Sequence, residues 1–212
     1  MDEHVSARVP AIDPRAAISE TPWAIPAKAV SIQVQSVLYN AEVSGLRRAV
    51  ESIARAAELA ISAGACSRIR LSWGDCSSMP CLQTSDLDAL RSDFESALEI
   101  EYHAFNRNLG SAAGHNWLAA AAQTDFILVQ NPDVIVSPRL FERLLEPFRQ
   151  PMVGMSEAKQ LPIEHPKDYD PHTGETSWAT TASALIPLTL FRSLGGFDPD
   201  SCLLYTSDAA DD

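Results

Sequence analysis

The chain predicts an α/β domain: a mainly parallel sheet flanked by helices on both faces. Three observations carry that expectation. Strand-length apolar or alternating runs are interleaved with segments of helical periodicity, giving the order βαβαβ. Residues 126–129, FILV, form an unbroken apolar run suited to a strand buried on both faces. With 212 residues, 46% hydrophobic and 21% charged, the chain can bury one real core. Right-handed crossovers between parallel strands then place helices on both sides, and no internal repeat contradicts this.

Residues 1–28 carry prolines, small residues and charges without sustained periodicity, so they read as a flexible N-terminal arm. VSIQVQSVL, from Val30 to Leu38, is the first strand, ended by Tyr39-Asn40. Leu46, Val50, Ile53, Ala57 and Ile61 then share one face of a helix over Val43 to Ser62 that packs on the sheet. Ile69, Leu71 and Trp73 alternate with Arg68, Arg70 and Ser72, a strand with one more exposed face. The turn from Gly74 to Ser78 ends it, leaving Asp75 at the strand tip. Ser85 with Asp88 is the expected helix cap ahead of Leu87, Leu90, Phe94 and Leu98, and residues 99–105 are the third strand.

Asn108 and Gly110 precede an alanine-rich helix over residues 111–123. Backbone amides at such a start, on the positive end of the helix dipole, suit an anionic ligand. Gly110 and Gly114 serve equally well for tight packing alone. After FILV, Asn131-Pro132-Asp133 places Asp133 just past a strand's carboxyl end, the rim where open α/β sheets bind ligands. A carboxylate there can hold a hard divalent cation whose other ligands are diphosphate oxygens and water, although all three residues are also ordinary turn formers. Ser137-Pro138 reads as an N-cap and first helical position, beginning a helix through Leu140, Leu144 and Phe148. The sheet is expected to resume at residues 152–155, and residues 188–194 form a short helix capped by Gly195-Gly196.

Composition excludes several classes. A net charge of −12, with 16 Lys and Arg thinly spread, argues against a nucleic-acid partner. No apolar run is long enough for a transmembrane helix, and the acidic start lacks a signal-peptide pattern, so a cytoplasmic location is expected. Cys66, Cys76, Cys81 and Cys202 are irregularly spaced and read as free thiols, with Cys76 and Cys81 close in a loop. No GxGxxG follows a strand, which weighs against a Rossmann dehydrogenase. YNAEVSGLRR also lacks the glycine cluster that a sugar nucleotidyltransferase needs.

VLYN, GDCSS, NLGSAAGHN, NPDV, EAKQLPIEHPKDYDPHTGETSWA and LGGFDP follow one another in characteristic order and spacing. Together they resemble the nucleotide-binding part of a family 2 glycosyltransferase of GT-A fold, rhamnosyltransferase-like and akin to actinobacterial cell-surface polysaccharide enzymes. The resemblance covers residues 30–200 and implies an incomplete GT-A domain over 29–200. It implies an inverting hexosyltransferase that moves rhamnose or a related hexose from a dTDP-, UDP- or GDP-sugar to a cell-wall, surface-glycan or lipid-linked acceptor. Such an acceptor implies a place at the inner face of the plasma membrane. By the same resemblance Tyr39, Asn40 and Asp75 face base and ribose. Asn108, Gly110 and Asn116 line the nucleotide pocket, with His115 either touching ligand or serving the fold. Asp133 would hold Mg²⁺ or Mn²⁺ against the diphosphate, and Asn131 replaces the family's first carboxylate, so metal affinity leans on the nucleotide. Residues 157–178, with Lys159, His165, Lys167, His172 and Trp178, would lie towards donor sugar and acceptor. Trp178 is either a sugar-stacking platform or a core residue, and Asp198 belongs to the same side. Thr180 to Ser183 stand where relatives show a Gly-Ala pair.

In the chemistry so implied, an acceptor hydroxyl attacks the anomeric carbon while a carboxylate removes its proton. Asp208 matches that base if LLYTSD is aligned with the family. CLLYTSDAAD also resembles a translated sequencing adapter, so residues 201–212 are expected to be a non-native tail; in that case the base is missing and the fragment is inactive. From another class, the chain could be a non-catalytic nucleotide-sugar-binding or scaffold module.

Overall fold

The structure, a computed structural model, describes residues 29–150, 152–162, 166–176 and 178–199. The N-terminal arm, His165 and the tail with Cys202 and Asp208 lie outside these residues.

β1 (Val30–Leu38) is the centre of the sheet, because both of its faces must be covered. Val30, Ile32, Val34 and Leu38 join the main core with α1 (Val43–Ser62), whose Leu46, Val50, Ile53 and Ala57 are buried as the periodicity requires; Ile61, expected on the same face, is instead exposed in the last turn. β2 (Cys66–Asp75) pairs parallel with β1, and β3 (Glu99–Ala104) pairs parallel with β2. β4 (Phe126–Gln130) flanks β1 on the other side, also parallel. β6 (Ser183–Pro187) runs antiparallel to β4, and the two-residue β5 (Ser156–Glu157) closes the edge, giving the order β3-β2-β1-β4-β6-β5. α2 (Thr84–Phe94), α4 (Leu140–Leu145) and α1 contribute to the main core, while α3 (Gly110–Ala121) and α5 (Leu188–Ser193) cover the opposite face.

The face under α3 is polar where most sheets are apolar. Gln33 and Gln35 of β1 are buried, so their amides need partners. Gln33 donates to the Leu118 carbonyl at 3.2 Å and to Gln35 Oε1 at 3.3 Å, and Gln35 donates to the His115 carbonyl at 3.2 Å. α3 can sit this close because Gly114 lacks a Cβ: one placed there would stand 2.7 Å from Val37 Cγ2. At its other end, the Arg192 guanidinium donates to the carbonyls of Ala119, Ala120 and Ala122 at 2.8, 3.1 and 2.7 Å. A cation on the negative end of the helix fastens α5 to α3.

Four expectations need correction. α2 is capped two residues earlier than Ser85, where Asp86 Oδ2 accepts from the Gln83 N–H at 2.9 Å. α4 starts at Leu140, since Ser137-Pro138 forms a turn closed by Leu140 N–H to Ser137 O at 3.1 Å. It gives way to a 3-10 turn at Glu146–Arg149, where Pro147 has no N–H to continue the α-helical ladder. Residues 152–155 are not a strand; Met152 takes φ 75°, and pairing resumes only at Ser156. The second face of β2 is exposed only at its start: Ser72 is buried, because α3 reaches across that end and brings Leu118 over Gly74. The glycine cap of α5 is as expected. Gly195 and Gly196, at φ 83° and 81°, donate to Arg192 O and Phe191 O at 3.1 and 3.0 Å, a Schellman pair.

Gly114→Ala is expected to cost about 1–3 kcal/mol in urea denaturation, because the added methyl has no room against Val37. Gly45→Ala in α1, where a Cβ meets nothing within 4 Å, serves as the control and should be neutral or stabilising by up to about 1 kcal/mol.

Candidate active site

The carboxyl ends of β1 and β4 and the start of α3 open on one cavity of about 290 Å³. Val37 and Tyr39 enter it from the end of β1, and Cys76 from the end of β2. Asn108, Gly110, Ser111 and His115 come from α3 and its lead-in, and Gln130, Asn131 and Pro132 from the end of β4. Parallel strands create this convergence, since their carboxyl ends share one edge and each connection to the next helix must leave from it.

The lead-in to α3 is fixed by its own side chain: Asn108 Oδ1 accepts from the Gly110 N–H at 2.8 Å. Tyr39 is 60% exposed and its ring is available to a planar ligand, while Asn40, at φ 49°, donates its N–H to Ser77 Oγ at 2.8 Å. Asn131 donates its N–H to Ala182 O at 3.0 Å, which ties the rim to the approach to β6. Asp133 follows on the exposed rim.

His115 serves both fold and cavity. Its Nδ1 faces the Gln35 amide nitrogen at 3.2 Å, an arrangement that suits a ring protonated on Nε2. Burial pushes its pKa down to about 4, and the ring is neutral at pH 7. It lines the cavity as a neutral ring rather than a positive charge.

Two residues expected on the pocket wall do other work. Asp75 is buried at the tip of β2, and both its oxygens are engaged within the protein. Oδ1 accepts from the Ser77 N–H at 2.8 Å; Oδ2 accepts from the Cys81 N–H at 2.7 Å and from the Tyr102 hydroxyl. Burial pulls its pKa upward, but the hydrogen bonds from Cys81, Ser77 and Tyr102 outweigh it and hold the carboxyl below its usual value. Asp75 therefore shapes the loop that carries Cys76 and does not reach the cavity. Asn116 is likewise engaged within the protein: its Nδ2 donates to Phe197 O at 2.7 Å and its Oδ1 accepts from Phe197 N–H at 2.8 Å. That clamp fixes the segment before Asp198, whose exposed side chain is not among those lining the cavity.

Trp178 also stands apart, 43% exposed, with the Lys167 ammonium 4.5 Å above its ring. Lys167 is itself buried and paired with Glu157, whose Oε2 accepts from the Thr180 N–H at 2.6 Å. Lys167 thus holds the loop to the edge strand. His172 lies on an exposed turn whose Asp170 Oδ1 accepts its N–H at 2.8 Å. Cys66, Cys76 and Cys81 are free thiols, and burial pushes Cys66 up to about 12.

One feature of the rim escapes sequence reasoning. Gln130 and Ser183 pair across β4 and β6, and Gln130 Oε1 and Ser183 Oγ are buried with no hydrogen-bond partner among the described residues. A glutamine closing the otherwise apolar FILVQ was the only sign.

Residues 85–204 match the family model for glycosyl transferase family 2, over half of the chain, and the chain belongs to that family. Its mostly parallel six-stranded sheet flanked by helices is the GT-A fold. Similar solved structures include the mannosyltransferase PcManGT from Pyrobaculum calidifontis in complex with GDP-Man and Mn²⁺. It is 16% identical, with TM-score 0.56 over 85% of this chain and 52% of that one. TarS 1-349 of S. aureus is 10% identical, with TM-score 0.55 over 80% of this chain and 51% of that one. Its complex with UDP-GlcNAc is also 10% identical, with TM-score 0.55 over 78% and 47%. The chain thus spans about half the length of these structures. No curated protein matches it.

The His115 environment predicts acid sensitivity. The folded chain keeps this ring neutral down to about pH 4, whereas the unfolded chain protonates it near 6.5. Its contribution is therefore present above pH 6.5 and is lost as pH falls towards 4, by up to about 3 kcal/mol. Urea midpoints measured near neutrality and at about pH 5 should diverge, and His115→Gln should narrow the gap.

Proposed function

We propose that this chain is the donor-binding part of an inverting glycosyltransferase that moves a hexose, rhamnose or a related sugar, from a nucleotide-diphosphate carrier. The acceptor is a cell-wall or surface glycan, free or lipid-linked. The observation that carries the reading is the convergence of Tyr39, the start of α3 and the Asn131-Pro132 rim on one cavity at the parallel strand ends.

In this reading the Tyr39 ring stacks on the base, beside the loop that Asp75 braces and near Asn40. The amides at the start of α3, with Asn108 and Gly110, face the diphosphate with the positive end of the helix dipole. His115 donates a neutral N–H from the wall. The donor set at the rim fits a hard divalent cation shared with the nucleotide: an exposed carboxylate, Asp133, and the amide oxygen of Asn131. It is not a self-sufficient metal site, since no three His, Cys, Asp or Glu side chains converge among the described residues. Mg²⁺ or Mn²⁺ held by Asp133 would neutralise charge on the departing diphosphate. The structure of PcManGT in complex with GDP-Man and Mn²⁺ supports this.

During transfer an acceptor hydroxyl bonds to the anomeric carbon as the bond to the diphosphate oxygen breaks, and a carboxylate takes the hydroxyl proton. Asp198, held in place through Phe197 and Asn116, belongs to the acceptor side. We assign the base to Asp208 if the tail is native. No helix among the described residues is long and apolar enough to cross a membrane. We place the enzyme in the cytoplasm, against the inner membrane face where a lipid-linked acceptor would be presented.

Calorimetric titration with UDP, dTDP and GDP, with and without Mn²⁺, tests the donor site. One diphosphate should bind, Mn²⁺ should tighten it about tenfold, or about 1.4 kcal/mol, and Asp133→Ala should abolish that gain without changing the melting temperature. A folded chain that binds none of the three would turn the assignment towards a scaffold module.

A further inference from the structure

We infer that Gln35 of β1, which does not itself line the donor cavity, is a positioning residue: it holds the His115 ring so that Nε2, carrying the proton, is the edge left for the oxygens of a nucleotide diphosphate. The inference rests on the donor-site reading for its ligand, while the hydrogen bonds that carry it belong to the fold alone.

β1 is the central strand, buried along most of its length, and such a strand needs only apolar side chains. Gln33 and Gln35 depart from this on the face under α3, and alternation places Val37 next along that face, where the cavity begins. A polar ladder thus climbs the strand towards the site and ends on His115. Its direction is fixed. The carbonyls of Leu118 and His115 can only accept, so the amide nitrogen of Gln33 must face Leu118 O, at 3.2 Å, and that of Gln35 must face His115 O, at 3.2 Å. Turning over either amide would set oxygen against oxygen. Gln33 also donates to Gln35 Oε1 at 3.3 Å, which agrees with both orientations. The second N–H of Gln35 is then aimed at His115 Nδ1, 3.2 Å away, and a donor there calls for a bare ring nitrogen.

The ladder serves the cavity as well as the sheet. His115 lines that cavity, and with Nδ1 turned inward to β1 the polar atom that remains is Nε2, which has no hydrogen-bond partner among the described residues. Phe197 closes in on the imidazole from the α5 side, its ring centroid 6.0 Å away and its plane at 74°, so the ring is held between strand and loop. Gly114 brings Gln35 within reach, since a Cβ there would meet Val37 Cγ2 at 2.7 Å and lift the helix. An apolar pair at 33 and 35 would seat α3 without burying amide groups that then need partners. What the amides add is a defined proton on one nitrogen of a neutral ring, because the bond made by one nitrogen sets the state of the other.

Nitrogen-15 NMR of the imidazoles in the full chain reads the tautomer directly, and His115→Phe identifies the His115 signals among those of the five histidines. The parent should show a bare Nδ1 and a protonated Nε2. Gln35→Glu presents Nδ1 with an acceptor instead of a donor and should move the proton to Nδ1. Gln35→Met, close in size, removes the donor, and in calorimetry it should weaken about tenfold the binding of whichever of UDP, dTDP and GDP the parent binds. His115→Phe should itself lose about tenfold, and adding Gln35→Met to it should cost nothing more, whereas a role in seating α3 alone would persist in that background. The inference is overturned if the parent carries its proton on Nδ1, if a folded Gln35→Glu chain keeps Nδ1 bare, if Gln35→Met binds as tightly as the parent, or if its loss is undiminished beside His115→Phe. A folded parent with the expected tautomer that binds none of the three nucleotides would sink the donor-site reading and leave the assignment of the ring proton standing.

Discussion

The seating of α3 on β1 is the contact on which the rest depends. A helix can approach a sheet this closely only where small residues face it, and Gly114 over Val37 supplies the closest point. Buried glutamines on the strand then need helix partners, and the Leu118 and His115 carbonyls accept from them. Together these fix the helix in both translation and rotation. Once fixed, its first turn must stand at the carboxyl edge of β1, where the cavity lies. Its second turn presents Asn116 to Phe197, and its last carbonyls meet Arg192. One helix thereby sets the donor wall, the segment before Asp198 and the position of α5.

The same edge carries two carboxylates with opposite fates. Asp75 sits where four donors converge on it, so its charge is stabilised inside the protein and its acceptor capacity is used up. Asp133 lies two strands away, beyond the end of β4, on an exposed turn. Type and chain position are equivalent for the two; what separates them is the number of N–H and O–H groups the fold aims at each. A carboxylate saturated by its own protein builds a loop, and an open one can share a cation with a ligand.

This distinction marks how far the sequence could be read. Val30 to Leu38 and Val43 to Ser62 were legible to the residue, because a central strand and its covering helix are specified by apolar spacing alone. The cap of α2 and the end of α4 were not, since Gln83 with Asp86 competes with Ser85 and Asp88, and Pro147 acts only by a missing donor. At the site, the cavity edge was legible from Gly110 and Asn131, each marked by its own local turn signal. The partners of Asp75 and Asn116 were not, because Tyr102 and Phe197 come from other elements that no local pattern links to them. Local pattern locates a side chain, but only tertiary contact says whether it is still available.

β6 ties the donor rim to the loop over β5. It is the strand that reverses direction, so its amino end lies beside the carboxyl end of β4, and Gln130 faces Ser183 across the pair. Immediately outside, Asn131 donates to Ala182 O on one side, while on the other Ala158 donates to Ser183 O. The donor rim and the loop over β5 are therefore hung from the same few residues. Gln130 Oε1 and Ser183 Oγ have no hydrogen-bond partner among the described residues at that junction, and an orphaned buried polar atom costs about 1–3 kcal/mol. An apolar pair would serve the sheet better. The junction is thus a place where local stability is given up at the rim of the donor cavity, as real proteins do at functional sites.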